Sequence, residues 1–448
     1  MLMHPYNCFG ELVQTVTFKV GLLGLGTVGT GTAQVLFDTV GRHPLLQEIE
    51  ICRIGVRSLD KTRSVNLPKD VLTTDLESIV VAPEVDIVVE VLGGLEPARS
   101  LILKAIHNGK HVVTANKAVI SRYGDEIFTA ANAAGVYVML EAAVGGGIPV
   151  IQPLKQALSV NRIQAVTGIV NGTTNYILTR MQVEGSDFDA VLTDAQKLGY
   201  AEADPSADVD GLDAADKIAI LASLAFGGRI KLQEVYAEGI RGVSQADIAY
   251  ADKLGFVIKL LAIAQRTQRT TSTLSVRVHP TLVARSHPLA SINGVYNAIL
   301  IEGEPLGQVM FYGPGAGAGA TASAVVSDIM NIAAVLKTRS DQVQTQSNPL
   351  FACSHQDYCA IAPMAELTTR FYARFLTKDR PGVIGKLGTC FGNYGVSLES
   401  IVQIGLQGNL AEIVVVTHDV REGDFHSSLA EIRTLEAVDS IPSVLRVL

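Results

Sequence analysis

The sequence predicts an α/β chain of three folded units: a doubly wound nucleotide domain, an α+β domain with an open sheet, and a C-terminal βαββαβ unit. Three observations carry this. An apolar, β-branched run at residues 16–23 breaks into Gly24-x-Gly26-x-x-Gly29 and continues with helical apolar spacing to residue 37. Stretches rich in Val and Ile then alternate with helical ones up to residue 140, the pattern of a parallel sheet covered on both faces. Residues 370–448 read strand, helix, strand, strand, helix, strand.

Composition sets the outer limits. The 448 residues leave room for roughly two to four domains, and 48% apolar with 18% charged residues describes a well-buried chain rather than a disordered one. A net charge of -8, with no basic run and no basic–aromatic interleaving, argues against a nucleic-acid surface. Five scattered cysteines (Cys8, Cys52, Cys353, Cys359, Cys390) fit a reducing compartment without a disulfide framework. His355 lies between Cys353 and Cys359, but the spacing is not that of a metal site. No signal peptide is expected at the start and no charge-free run of about 18 apolar residues argues for a membrane span. The expected location is cytoplasmic.

In chain order, residues 1–16 read as an extension. The strand, glycine turn and helix that follow open a dinucleotide-binding βαβ unit. Gly24 permits the tight turn, Gly26 lets a pyrophosphate approach the backbone, and Gly29 lets helix and strand pack closely. The helix N-terminus, starting at Thr27 and Val28 after Leu25, then faces the phosphates with free N–H groups. The second strand, 49–56, closes on Arg57, where an NAD site would carry an acid for the ribose 2′-hydroxyl. Arg57 and Ser58, with Lys61 and Arg63 beyond, suit a 2′-phosphate instead, so NADP(H) is favoured over NAD(H). The plainer alternative is a surface arginine after a strand.

A strand at 85–91 ends in Gly93-Gly94, Pro97 opens a helix to residue 108, and strand 111–117 ends in the polar tip Asn116-Lys117. Helix 121–134 and strand 136–140 complete the domain. Ligands of such sheets bind at the strand C-terminal ends, which places Lys117 on the functional rim. The stretch from Glu141 to Pro149 is a glycine-rich hinge. Its backbone carbonyls plus one carboxylate would make a hard-oxygen cage for a weakly held cation, but spacing alone favours the plainer reading, a glycine-rich linker.

The second domain starts with strand 162–170, and Asn171 caps the next helix. After helix 187–198 comes the most polar segment, 199–217, with Glu202, Asp204, Asp208, Asp210, Asp213 and Asp216. Asp213 and Lys217 are four apart on a helix and share a face. The acids either complement the helix dipole or, with the lysine, hold an ammonium-bearing substrate and move a proton. A helix is expected at 246–261, strands at 262–283 and 296–312, then a second glycine loop, 313–319, opening helix 320–336. Residues 342–366 read as a linker. In the last unit the helices fall at 383–393 and 425–434.

Taken together, Gly24-Leu-Gly-Thr-Val-Gly, Val112-Val-Thr-Ala-Asn-Lys, Glu141-Ala-Ala-Val, Gly168-Ile-Val-Asn-Gly-Thr-Thr-Asn, Gly199-Tyr-Ala-Glu-Ala-Asp-Pro, Gly211-Leu-Asp-Ala-Ala-Asp-Lys and Phe311-Tyr-Gly-Pro-Gly-Ala-Gly resemble homoserine dehydrogenase. The match runs in order from residue 17 to 336, and residues 370–448 resemble an ACT domain. The resemblance implies a Rossmann-type nucleotide domain at 17–147 with a return helix at 318–340. It also implies a catalytic and dimerisation domain at 148–317, a linker at 341–369 and a ferredoxin-like ACT regulatory unit at 370–448. It implies interconversion of L-homoserine and L-aspartate 4-semialdehyde on the route to threonine, isoleucine and methionine. Lys217 and Lys117 are then the catalytic lysines, Lys217 as proton donor and Lys117 orienting substrate and cofactor. Glu202 and Asp213 bind homoserine, Glu202 through its amine. Gly199 and Gly317 fall near the cofactor, with Gly24, Leu25, Gly26, Thr27, Val28, Gly29, Arg57 and Lys117. Glu141, Val144, Gly146 and Ile148 resemble a sodium site, Glu141 through its carboxylate and the others through carbonyls.

Two positions depart from the family pattern. Asp216 stands where the family often has arginine, adding negative charge beside Lys217, and Ser58 stands where an acid is common, removing repulsion against a 2′-phosphate. The C-terminal unit implies feedback by threonine, bound near the 379–382 and 393–395 turns between paired units, hence a homo-oligomer, dimer or tetramer. Rival readings are another dehydrogenase of a small aldehyde on the same fold, or a non-catalytic NADP-binding amino-acid sensor. Retention of Lys117, Glu202, Asp213 and Lys217 speaks against the sensor.

Overall fold

The computed structural model describes residues 17–267, 273–338, 348–353, 355 and 357–448. The N-terminal extension read at 1–16 and the linker residues 341–347, 354 and 356 lie outside the described residues.

Strands β1 (Phe18–Leu23), β2 (Ile49–Gly55), β3 (Leu72–Thr73), β4 (Ile87–Glu90), β5 (His111–Thr114) and β6 (Val138–Met139) form one parallel sheet in the order β3-β2-β1-β4-β5-β6. The order reverses between β1 and β4, so a crevice opens at the C-terminal end of β1. Helix α1 (Thr27–Phe37) leaves that crevice, and α2 (Leu76–Val81), α3 (Ala98–His107) and α4 (Lys117–Ala134) complete the layers. β1, β4 and β5 are almost wholly buried, which is why their sequence reads as unbroken Val and Ile. α4 starts at Lys117, four residues earlier than its apolar spacing predicts, because the Asn116 side chain accepts the Val119 N–H at 3.2 Å and caps it there.

The short α5 (Ile151–Lys155) leads into the second layer system. Strand β7 (Arg162–Ile169) is followed by α6 (Gly172–Glu184), α7 (Phe188–Lys197), α8 (Ser206–Val209) and α9 (Leu212–Phe226). Then come β8 (Tyr236–Ala237), α10 (Gln245–Lys253), β9 (Phe256–Arg266), β10 (Leu274–Ala284), β11 (Tyr296–Glu304) and β12 (Gly307–Pro314). Helices α6, α9 and α10 pack on β7, β9 and β10. The helix expected at 246–261 is a correction: α10 stops at Lys253, Gly255 takes φ +83°, and Phe256 begins an eleven-residue strand. Buried on both faces, that strand loses the period-two alternation that would have distinguished it from a helix.

Helix α11 (Ala318–Thr338) returns to the nucleotide unit and packs on α1. By length and apolarity it passes for a membrane span, but Val325, Val326, Ile329 and Ala333 are buried in the nucleotide unit's core. Where a Cβ added to Gly31 would stand, the Ala318 carbonyl lies 2.7 Å away, so the two helices touch backbone to backbone.

The C-terminal unit is β13 (Thr368–Lys378), α12 (Val383–Asn393), β14 (Leu398–Gln407), β15 (Leu410–Thr417), the two-residue β16 (Val420–Arg421), α13 (Glu422–Ile432) and β17 (Val438–Val447). Its strands lie in the order β17-β13-β15-β14, with Phe371, Phe375, Phe391 and Phe425 at the core. This sheet does not stand apart. β17 pairs in parallel with β10 (Thr281 opposite Arg446, Leu282 opposite Val447), so one sheet runs β12-β11-β7-β9-β10-β17-β13-β15-β14. Two buried charge clusters fasten the same seam. Arg374 meets Asp247 at 2.8 Å and Glu412 at 2.9 Å, and Arg446 meets Glu422 at 2.5 Å and Glu238 at 2.9 Å. The segment read as linker also takes part, with single bridges from Tyr358 to Arg229 and from Ile361 to Leu274.

Candidate active site

The crevice beyond β1 is a cleft of about 880 Å³ lined by Gly24, Leu25, Gly26, Thr27 and Arg57 among others. Each glycine has a distinct physical task. Gly24 takes φ +106°, a conformation other residues avoid. A Cβ on Gly26 would meet nothing within 4 Å, leaving its backbone open to a ligand, whereas one on Gly29 would fall 2.1 Å from the Gly24 carbonyl. Gly29 and Val28 therefore serve packing and do not line the cleft. At the far end of the cleft stand Arg57, Lys61 and Arg63, with no carboxylate among the lining residues. Arg63 folds back onto the Leu59 and Lys61 carbonyls at 3.1 and 2.7 Å, holding the loop in place. Arg57 has no ion-pair partner among the described residues. Thr30, Gln34 and Ala318 also line the cleft. The first two follow from Gly26 at helical spacing, but no spacing rule could have supplied Ala318, which arrives from a helix nearly three hundred residues on.

The second cluster forms where α4 and α9 both begin. Lys117 Nζ lies 2.9 Å from Asp213 Oδ1, and Lys217 Nζ lies 2.6 Å from Asp213 Oδ2, so one carboxylate grips two ammonium groups. Lys217 also donates to the Val170 carbonyl at 2.7 Å. Asn171 donates to Asp213 at 2.9 Å and to Asp208 at 2.7 Å, while its own Oδ1 caps α6 through the Thr174 N–H. The sequence identified Asn171 as a cap only. Its second role needs the long-range approach of α9.

Electrostatics fixes the charge states. Burial alone would raise the Asp213 pKa, but Lys217 and Lys117 overturn that and hold it well below the usual carboxylate range. For Lys117, burial opposes the charged form, yet Asp213, backed by Asp216 and Asp208, outweighs it and holds its pKa above the ordinary lysine value. Asp216, one residue before Lys217, has partners of its own. Its carboxylate meets Arg122 at 2.8 Å and the Ser121 hydroxyl at 2.8 Å, both on α4. Glu202 lies exposed on the loop after α7, and its carboxylate makes no ion pair among the described residues. Gly199, with φ +76°, ends α7, and Gly317, with φ +122°, precedes α11 beside the cleft residue Ala318.

Glu141, Val144, Gly146 and Ile148 are all buried where the nucleotide unit meets the second sheet. The Glu141 carboxylate, however, accepts the N–H groups of Val150, Ile151 and Gln152 at 2.7, 2.8 and 2.8 Å, capping α5. It is committed to those amides, so a carboxylate-anchored cage does not fit. A cation here would rest on backbone carbonyls. Gly146 is held tightly in any case: a Cβ on it would fall 2.4 Å from the Gly315 carbonyl.

A doubly wound glycine-loop cleft, beside a carboxylate that holds two lysines, defines a dinucleotide-dependent dehydrogenase. Comparison with known proteins agrees. Residues 24–141 match the family described as homoserine dehydrogenase, NAD binding domain; 149–330 match homoserine dehydrogenase; and 371–437 match the ACT domain. Homoserine dehydrogenase of Synechocystis is 68% identical over 97% of this chain and 100% of its own length, and that of Bacillus subtilis 42% over 96% and 98%. The crystal structure of a homoserine dehydrogenase from Thiobacillus denitrificans superposes with TM-score 0.89 at 41% identity, covering 96% of this chain and 98% of that one. A hyperthermophilic archaeal homoserine dehydrogenase in complex with NADPH covers 72% of this chain and 99% of its own, at TM-score 0.60 and 28% identity. The chain belongs to the homoserine dehydrogenase family.

Proposed function

We propose that the chain interconverts L-aspartate 4-semialdehyde and L-homoserine with a preference for NADP(H), in the cytoplasm, on the route to threonine, isoleucine and methionine. The observation that carries the reading is the pair of lysines on opposite oxygens of Asp213. When bound, the nicotinamide gives or takes the hydride. Lys217 donates the proton that the carbonyl oxygen needs as it becomes a hydroxyl, and Asp213 holds its ammonium group in place. Lys117 steadies the developing oxyanion and the cofactor's edge. Glu202, exposed at the mouth, accepts the substrate's ammonium group, and Asp213 contributes to substrate binding. The pyrophosphate rests on Gly24, Leu25, Gly26 and Thr27, and Arg57 takes the 2′-phosphate. Gly199 and Gly317 border the cofactor. A sodium ion would be held by the backbone at Glu141, Val144, Gly146 and Ile148 and would stay outside the chemistry. Threonine binds the C-terminal units of a homo-oligomer and lowers turnover.

Initial rates of L-homoserine oxidation with NADP+ and with NAD+, with and without threonine, test this. Turnover with NADP+ at lower KM than NAD+, reduced by threonine, is expected. Cofactor binding without turnover would return the sensor reading, since that protein would keep the cleft and lose the chemistry.

A further inference from the structure

We propose that a cavity between α4 and α9, distinct from the cofactor cleft and the lysine cluster, binds a small carboxylate with a compact apolar body. The cavity holds about 410 Å³, with Ile120, Phe128, Leu140 and Ile220 among its apolar walls, a size and lining usual for small-ligand sites. Its charged groups are three cations, Arg122, Arg229 and Lys231, against one acid, Asp125. Most of these are matched already. Arg122 holds Asp216 at 2.8 Å, Lys231 holds Glu234 at 3.2 Å, and Asp125 accepts the Tyr358 hydroxyl at 3.1 Å.

Arg229 is the exception. Among the described residues it has no carboxylate partner, and its guanidinium donates to the Thr129 hydroxyl alone, at 3.2 Å. Its backbone is pinned on both sides, its N–H to Asp357 at 2.8 Å and its carbonyl to the Cys359 N–H at 2.9 Å. His355 shares the wall, and burial, with Lys155 and Arg229 nearby, holds its imidazole below the usual pKa, so it adds no second charge. A preorganised, unpaired guanidinium over an apolar wall selects a carboxylate, which it can grip with two parallel bonds.

The placement gives occupancy a route to the chemistry. α4 begins at Lys117, α9 carries Asp213 and Lys217, and both helices line this cavity one to two turns further on. A carboxylate that drew Arg122 toward it would loosen Asp216, the neighbour of Lys217. Only this coupling rests on the reading of the lysine cluster; binding rests on the cavity.

Isothermal titration of the full chain with 4-methylpentanoate tests the site, with 4-methylpentanamide as the uncharged match. Saturable one-to-one binding of the acid, with Kd about 1 mM or tighter, and no binding of the amide, is expected. Arg229→Ala should weaken it about tenfold or more, and Arg229→Lys should retain part of it, with circular dichroism confirming both folds. Absent binding, equal binding of the amide, affinity unchanged in Arg229→Ala, or displacement by homoserine would each overturn the site. The rate of homoserine oxidation should change at saturating 4-methylpentanoate; binding without any change in rate would overturn the coupling.

Discussion

Arg374→Met is the sharpest perturbation of the seam between the C-terminal unit and the rest of the chain. The guanidinium is buried and saturated: it donates to Asp247 Oδ1 at 2.8 Å, Glu412 Oε1 at 2.9 Å and Ser244 Oγ at 3.0 Å. Asp247 and Glu412 are themselves buried. Methionine fills the volume but leaves two carboxylates without their cation, and breaking one side of a buried ion pair costs about 3–5 kcal/mol. At about 1.4 kcal/mol per factor of ten, that is a loss of roughly two to nearly four decades in the equilibrium holding β13 closed. Hydrogen exchange reads it directly, as lost amide protection in β13 and β15. The Lys378–Glu436 pair, open to solvent on the same strand, is the internal control. Its removal should cost at most about 1 kcal/mol. The triple variant Arg374→Met, Asp247→Leu, Glu412→Met, which removes all the charges, should regain much of the protection. Protection in Arg374→Met equal to that of the wild type would refute the reasoning, because the seam would then hold by β10–β17 pairing alone.

Three further outcomes follow. Gly29→Ala should destabilise the nucleotide unit by about 1–3 kcal/mol through its clash with the Gly24 carbonyl, whereas Gly26→Ala should leave the melting temperature unchanged and weaken dinucleotide binding; thermal melting and cofactor titration separate the two. Arg57→Ala should raise the Kd for NADPH about tenfold or more and leave that for NADH within a factor of about three, measured by fluorescence titration. The folded-state pKa of Asp213 is depressed, so its contribution to stability is present above the unfolded value near about 3.9 and is lost as pH falls toward the folded one. Stability of the wild type minus that of Asp213→Asn, followed by denaturant midpoint, should therefore shrink as the medium is acidified below about pH 4.

What could be read in advance divides by range. The glycine loop, the polar tip at Lys117 and the four-residue spacing of Asp213 and Lys217 are local patterns, and local sterics and helix geometry carried them into the structure. Most of what the sequence leaves out is long-range. Asp216 finds Arg122 ninety-four residues away, which no reading of its neighbours supplies. The Glu141 carboxylate looks free beside a glycine run until the N-terminus of α5 folds onto it. β17 is an ordinary final strand in the sequence, and only the register with β10 turns two sheets into one. The first six residues of β9, 256–261, read as helix for a local reason: burial on both faces erases their alternation.

The central claim is that Lys217, gripped by Asp213, carries the proton of a homoserine–aldehyde interconversion. The most direct measurement is the rate of NADP+ reduction by L-homoserine in wild type and Lys217→Ala, with NADPH affinity measured in parallel. The account predicts a loss in kcat of about 10²–10⁴-fold at unchanged NADPH affinity. A Lys217→Ala enzyme that keeps kcat within a few-fold of wild type would contradict it and leave Lys117 as the acid.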